Sequence, residues 1–220
     1  FGTAVMFGAF VYFLTQLKSV REEYRSGVAV SAVVVGIAGY HYYRIWSGFS
    51  VGEMNEGYRY ADWLITVPLL IVELLIVLGV AAAIRKDLMW KLVPASILMI
   101  GLGYPGEVST STGTKWTFWI LAIIPFAYIL YVLYGQLQEA QKRENGAVAK
   151  SIKNATVVLL STWCVYPIAY LFPIFDAESG TLETLRQVGY TFADITAKGL
   201  YGLMILNIAK ARSAEAKSSS

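Results

Sequence analysis

Long apolar blocks separated by short polar segments dominate this chain. The blocks cover about residues 1–17, 27–46, 57–84, 88–108, 116–138, 148–174 and 184–210. At ~1.5 Å of rise per residue, each approaches or exceeds the ~30 Å thickness of a bilayer core. The pattern therefore predicts an all-α membrane protein, a seven-transmembrane-helix bundle forming a single domain over residues 1–212. The connections, such as "KSVREEYRSG", "IRKDLMWK" and "QEAQKRENGAVAKSIK", are too short to hold a second domain. The stretch "SGFSVGEMNE" is expected to form a small hairpin outside the bilayer, and residues 213–220, which end in serines, a disordered cytoplasmic tail. Because Phe1 already lies in apolar sequence, the first helix is expected to be trimmed at its start.

Composition supports the pattern: 56% of the 220 residues are hydrophobic, 15% are charged and the mean hydropathy is +0.54, values foreign to an ordinary soluble domain or a disordered chain. A net charge of +3, with the basic residues scattered between apolar blocks, gives no nucleic-acid surface. The single cysteine, Cys164, excludes an internal disulfide and a cysteine metal cluster, and it is expected to be inert packing. No metal site is expected.

Charge also predicts orientation. The first, third and fifth connections and the tail carry Lys18, Arg21, Arg25, Arg85, Lys86, Lys91, Lys142, Arg143, Lys150, Lys153, Lys210, Arg212 and Lys217. The opposite side carries only Arg44, Lys115 and Arg186. Basic loops stay in the cytoplasm, so the N-terminus is expected outside and the C-terminus inside.

Five ionisable residues remain within the third and seventh spans: Arg59, Asp62, Glu73, Asp194 and Lys198. In "YRYADWLITVPLLIVELL", Arg59, Asp62, Thr66 and Glu73 are spaced by three, four and seven residues, which places them along one helical face. Asp194 and Lys198 share a face by their i, i+4 spacing. Structural ion pairs, or charges reaching from helix ends to water, account for an isolated residue of this kind. A set of five along the depth of two helices points instead to a proton or ion route. A buried lysine also forms a Schiff base readily, so "ADITAKGL" suggests a covalently held aldehyde.

Four motifs, "RYADWLITVPLL" with Glu73 beyond it, "WCVYPIAY", "GYPGE" and "ADITAKGL", together make the chain resemble a microbial rhodopsin of the proteorhodopsin and xanthorhodopsin group, over nearly its whole length. The resemblance implies a light-driven outward proton pump in a bacterial plasma membrane, with all-trans retinal on Lys198 as a protonated Schiff base. It implies that Asp62 is the counterion and proton acceptor, Asp194 the second counterion, and Arg59 the residue on the outer side of that pair. Thr66 matches the hydroxyl that bonds the counterion, and Glu73 the carboxyl that returns a proton from the cytoplasmic side. His41, by default a packed core residue, matches the histidine that bonds the counterion carboxylate. Trp63 and Trp163 match the pair that sandwiches the polyene, and Tyr166, Pro167 and Tyr170 the pocket lining, with Pro167 allowing a kink or hinge. Leu70 matches the position where relatives with leucine absorb green light and those with glutamine blue.

A photosensory rhodopsin that signals to a partner protein is the alternative of a different class; it needs no internal donor, and Glu73 argues against it. A retinal-free receptor or transporter, with Lys198 merely ion-paired, is a second. The acid at position 62 disfavours a chloride pump, and the known sodium-pump pattern also departs at the matching positions. Trp119 stands where antenna-binding relatives have glycine, so no carotenoid antenna is expected. Arg186 stands about where bacteriorhodopsin has one acid of its release pair, so release to the outside is expected to follow uptake. The expected partners are membrane lipid, protons and further copies of the chain in a homo-oligomer.

Overall fold

The computed structural model describes residues 1–52, 55–176 and 179–218. Its helices form seven rods. Six are single elements: α1 (Gly2–Gln16), α2 (Glu22–Ser50), α3 (Gly57–Val77), α4 (Ala82–Glu107), α5 (Thr112–Arg143) and α6 (Gly146–Phe175). The seventh comprises α7 (Gly180–Asp194), a π-helical segment (Ile195–Leu200) and α8 (Tyr201–Ser218). Each of the first six rods packs on the next, and α8 returns to α2, α3 and α6.

Local chemistry sets several ends. Ser111 Oγ accepts from Thr114 N at 3.4 Å to begin α5, and Ser179 Oγ accepts from Leu182 N at 3.3 Å to begin α7. Glu22 and Glu23 in the first turn of α2, and Lys142 and Arg143 in the last turn of α5, complement the helix dipoles. The third apolar run was expected to continue to residue 84, but α3 ends at Val77. Gly79, at φ +64°, turns the chain there, and α4 begins six residues earlier than expected. The expected hairpin is helical over residues 47–50, because α2 runs on to Ser50; Glu53 and Met54 lie outside the described residues. The last helix runs past residue 212 to Ser218, where a disordered tail was expected. Its continuation is anchored by Ser213, whose hydroxyl donates to Ala209 O at 2.6 Å and accepts from Arg21 N at 2.9 Å. Residues 219–220 lie outside the described residues.

Among the described residues, five helices, α2 to α6, are long and apolar enough to cross a membrane by length and composition. Their proline residues, including Pro68 and Pro167, lie within the helices, which a membrane bundle tolerates where neighbouring groups re-satisfy the backbone. The most apolar stretch of α3 is 56% buried and that of α5 only 17%, so α3 is the central rod and α5 lies at the rim. Trp46, Trp90, Tyr131, Phe175 and Val188 are exposed, giving the apolar exterior a bilayer requires. Cys164, expected to pack inside, also faces outward.

Two buried clusters divide the interior. A large aliphatic one contains Leu70, Ile71, Leu74, Leu133, Trp163 and Ile205, and a smaller, aromatic one contains Tyr60, Trp63, Tyr170 and Tyr190. Close approaches rely on glycine. A Cβ at Gly202 would stand 2.7 Å from Phe13 Cζ, on a ring that is itself fully buried. Gly8, by contrast, has nothing within 4 Å of its Cβ position. Gly202→Val is therefore expected to destabilise the bundle by ~1–3 kcal/mol through overpacking, while Gly8→Ala is neutral or stabilises it by up to ~1 kcal/mol. Thermal denaturation of the purified variants checks this: equal midpoints for the two would show that α1 and α8 do not pack as described.

Candidate functional site

The π-helical segment brings the amine of Lys198 into the middle of the bundle. A wider turn of this kind inside an α-helix commonly marks a functional position; here it immediately follows Asp194, the last residue of α7. Lys198 is 1% exposed, and its amine donates to Asp194 Oδ1 at 2.8 Å and to Asp62 Oδ2 in a short contact. Buried charges persist only when paired and hydrogen-bonded. Two cations, Lys198 and Arg59, and two carboxylates, Asp62 and Asp194, close the charge balance here.

The two carboxylates are held very differently. Asp194 accepts from Tyr166 Oη at 2.7 Å, Tyr42 Oη at 2.8 Å, Trp63 Nε1 at 3.0 Å and Arg59 Nη1 at 3.4 Å, besides Lys198. Among the described residues, the Asp62 carboxylate accepts only from Lys198, and its Oδ1 is buried without a hydrogen-bond partner. His41 Nδ1 is 3.9 Å from that oxygen, an ion-pair distance, and lies 3.0 Å from Ile37 O, to which it donates when it carries the proton. The bond expected from His41 to the carboxylate is thus not made in this arrangement. Thr66, expected to bond the same carboxylate, donates instead to the backbone carbonyl of Asp62 at 2.9 Å.

Beside the amine opens a largely apolar cavity. Lys198, Trp63, Leu70, Trp163, Tyr166, Pro167 and Tyr170, all seven residues assigned to the pocket from sequence, line it. Trp119 lines it too, and its Nε1 donates to Pro167 O at 2.9 Å, tying α5 to α6 at the cavity wall. A concave, mostly apolar pocket with a few placed polar groups suits a small organic ligand. A lone amine at the end of an aromatic slot, with carboxylates on its polar side, fits retinal joined to Lys198.

Glu73 stands apart. It is fully buried among Leu70, Leu74 and Val77, and neither of its carboxyl oxygens has a hydrogen-bond partner among the described residues. At the other end of the site, Arg59 donates to Gln187 Oε1 at 2.9 Å, and Gln187 donates in turn to Glu56. Arg186 pairs there with Glu107 at 2.5 Å, Glu183 at 2.7 Å and Glu56 at 3.2 Å. Tyr60 and Tyr190 each donate to Glu107 at 3.1 Å.

Sequence reasoning missed Tyr42 as a partner of Asp194, and it did not foresee the network of Glu56, Glu107 and Gln187. Glu107 could have been found, since it is an acid at the end of an apolar block in "GYPGE". Nothing along the chain connects Tyr42 with a carboxylate on the seventh rod.

The fold has close counterparts among solved structures. Xanthorhodopsin, whose crystal structure describes a light-driven ion pump with dual chromophore, matches at a TM-score of 0.91 and 45% identity, covering 99% of this chain and 92% of that one. A thermophilic rhodopsin matches at 0.91 and 41%, covering 98% and 92%. In sequence, the green-light absorbing proteorhodopsin of Gamma-proteobacterium EBAC31A08 is 30% identical over 216 residues, covering 97% of this chain and 86% of that protein. The family model for bacteriorhodopsin-like proteins matches residues 1–212. On these likenesses across nearly its whole length, the chain belongs to the bacteriorhodopsin-like family, the microbial type 1 rhodopsins.

Proposed function

We propose that this protein is a light-driven outward proton pump of a bacterial plasma membrane, with all-trans retinal held on Lys198 as a protonated Schiff base. The family is one of retinal-binding membrane transporters, light-driven ion pumps rather than enzymes. The observation that carries the proposal is the unequal pair of carboxylates on the Lys198 amine, one held by four further donors and the other by none. Retinal, when bound, supplies light absorption and a bond rotation that reorients the group attached to Lys198.

A carboxylate surrounded by donors is stabilised in its charged form. Asp194 therefore stays ionised and keeps the site's charge fixed, while Asp62 takes the proton from Lys198 Nζ. Arg59, hydrogen-bonded to Asp194 and Gln187, holds a positive charge at the exit side of Asp62 and blocks the proton's return. Glu73 lies eleven residues beyond Asp62 on α3, roughly 16 Å along the axis at ~1.5 Å per residue. In its apolar surroundings the neutral carboxyl is favoured, so it holds a proton in reserve and returns it to Lys198 Nζ. With the basic loops in the cytoplasm, Asp62 lies on the outer side and Glu73 on the inner, which makes transport outward. Trp119 fills the cavity wall with an indole, which supports the reading that no carotenoid antenna binds.

Cells carrying the protein with added all-trans retinal are expected to acidify their medium in light, and a protonophore to abolish the signal. Lys198→Ala is expected to form no visible pigment and give no acidification. Pigment that still forms in Lys198→Ala, or wild-type pigment that moves no protons, contradicts the proposal.

Glu73→Gln is expected to keep the pigment and its colour while slowing return of the proton to Lys198 Nζ on the order of 100-fold, the scale of losing a positioned acid. The slow step should then follow external pH, and azide should partly restore it. Time-resolved absorption checks this; a normal rate with full acidification would remove Glu73 as donor and favour a sensory role.

A further inference from the structure

Tyr201 begins α8, three residues after Lys198, and is completely buried. Its hydroxyl has no hydrogen-bond partner among the described residues. The same is true of both oxygens of Glu73, and the two side chains interact electrostatically across the α3 to α8 contact. Buried polar groups are rarely left unpaired, and a hydroxyl can supply the donor that a carboxyl oxygen lacks.

The two rods run in the same direction. Arg59 on α3 meets Gln187 on α7 at one end, and Gly79, just past α3, lies against the Arg212 guanidinium of α8 at the other. Along this axis Tyr201 is ~4.5 Å beyond Lys198 on the Glu73 side, from three residues at ~1.5 Å each. Among the buried side chains of this stretch, Tyr201, Ile205, Leu206, Ile208 and Ala209, it is the polar one, and it stands between the Lys198 level and the Glu73 level. Ser31 on α2 also faces Glu73; its hydroxyl donates to Gly27 O at 3.4 Å and lies within interacting range of the Glu73 carboxyl, so Tyr201 would complement it from the α8 side.

We propose that Tyr201 is a positioning residue for Glu73, its hydroxyl donating to the Glu73 carboxyl and holding the acid proton directed toward Lys198. The proposal rests on the reading of Glu73 as the internal donor and adds a second residue to that step. One hydrogen bond would satisfy an orphaned hydroxyl and an orphaned carboxyl together. It also explains a tyrosine where phenylalanine would fill the same volume without burying a hydroxyl.

Tyr201→Phe removes the hydroxyl and keeps the ring. Infrared spectroscopy reads the C=O stretch of the protonated Glu73 carboxyl, identified by its disappearance in Glu73→Gln. In Tyr201→Phe this band is expected to move to higher frequency, with and without retinal, as the carboxyl loses a hydrogen bond. An unchanged visible band shows that the variant is folded, and return of the proton to Lys198 Nζ is expected to slow several-fold. An unshifted infrared band overturns the proposal; if Glu73→Gln is slow in the same experiment, the donor reading stands without Tyr201. A Glu73→Gln variant that cycles at the normal rate overturns both.

Discussion

A cation buried in the middle of an apolar bundle is the constraint around which this structure is arranged. Removing an ammonium from water costs several kcal/mol even after relaxation, and it is tolerated only where paired charges and hydrogen bonds offset the loss. Lys198 is 1% exposed, and two carboxylates meet it. Burying those carboxylates raises the same problem again. Asp194 is answered by Tyr42 from α2, Arg59 and Trp63 from α3 and Tyr166 from α6, so one acid recruits donors from three neighbouring rods. The central position of α3 follows from this, since it carries Arg59, Asp62, Trp63, Thr66 and Glu73 together.

The interior on either side of the pair differs in kind. Toward Arg59 it is polar, with Gln187, Glu56, Arg186 and Glu107 in contact and aromatic hydroxyls closing the network. Toward Glu73 it is aliphatic, and among the described residues the Glu73 carboxyl and the Tyr201 hydroxyl have no hydrogen-bond partner there. A proton released at the first end finds a chain of hydrogen-bonding groups. One held at the second end has no such chain beside it, which is the asymmetry the proposed pumping direction uses.

Much of this was legible in the sequence because charge in an apolar run is conspicuous and helical spacing converts position into facing. Spacing put Arg59 with Asp62 on one face and Asp194 with Lys198 on another, the family resemblance implied that the two faces meet, and in the structure the four residues come together while the seven pocket residues line one cavity. What was not legible depends on distant contacts or on backbone detail. The end of α3 is set by one glycine at positive φ within a run whose hydropathy continues past it. The π-helical segment leaves no mark in hydropathy at all, and Tyr42 resembles any other tyrosine on α2. His41 and Thr66 lie beside Asp62 as expected, yet each bonds a backbone carbonyl, because a helix offers its own carbonyl oxygens to side chains one turn along.

Inequality between the two carboxylates is the central claim, and titration of the visible band tests it most directly. With Asp62 as the carboxylate that protonates, acidifying the retinal-loaded protein shifts its absorption to longer wavelength, because the charge at Lys198 loses a counter-charge. Asp62→Asn should already absorb at longer wavelength near neutral pH and lose that acid transition. An Asp62→Asn protein that still titrates as the wild type does would contradict the account, and would assign the proton to Asp194.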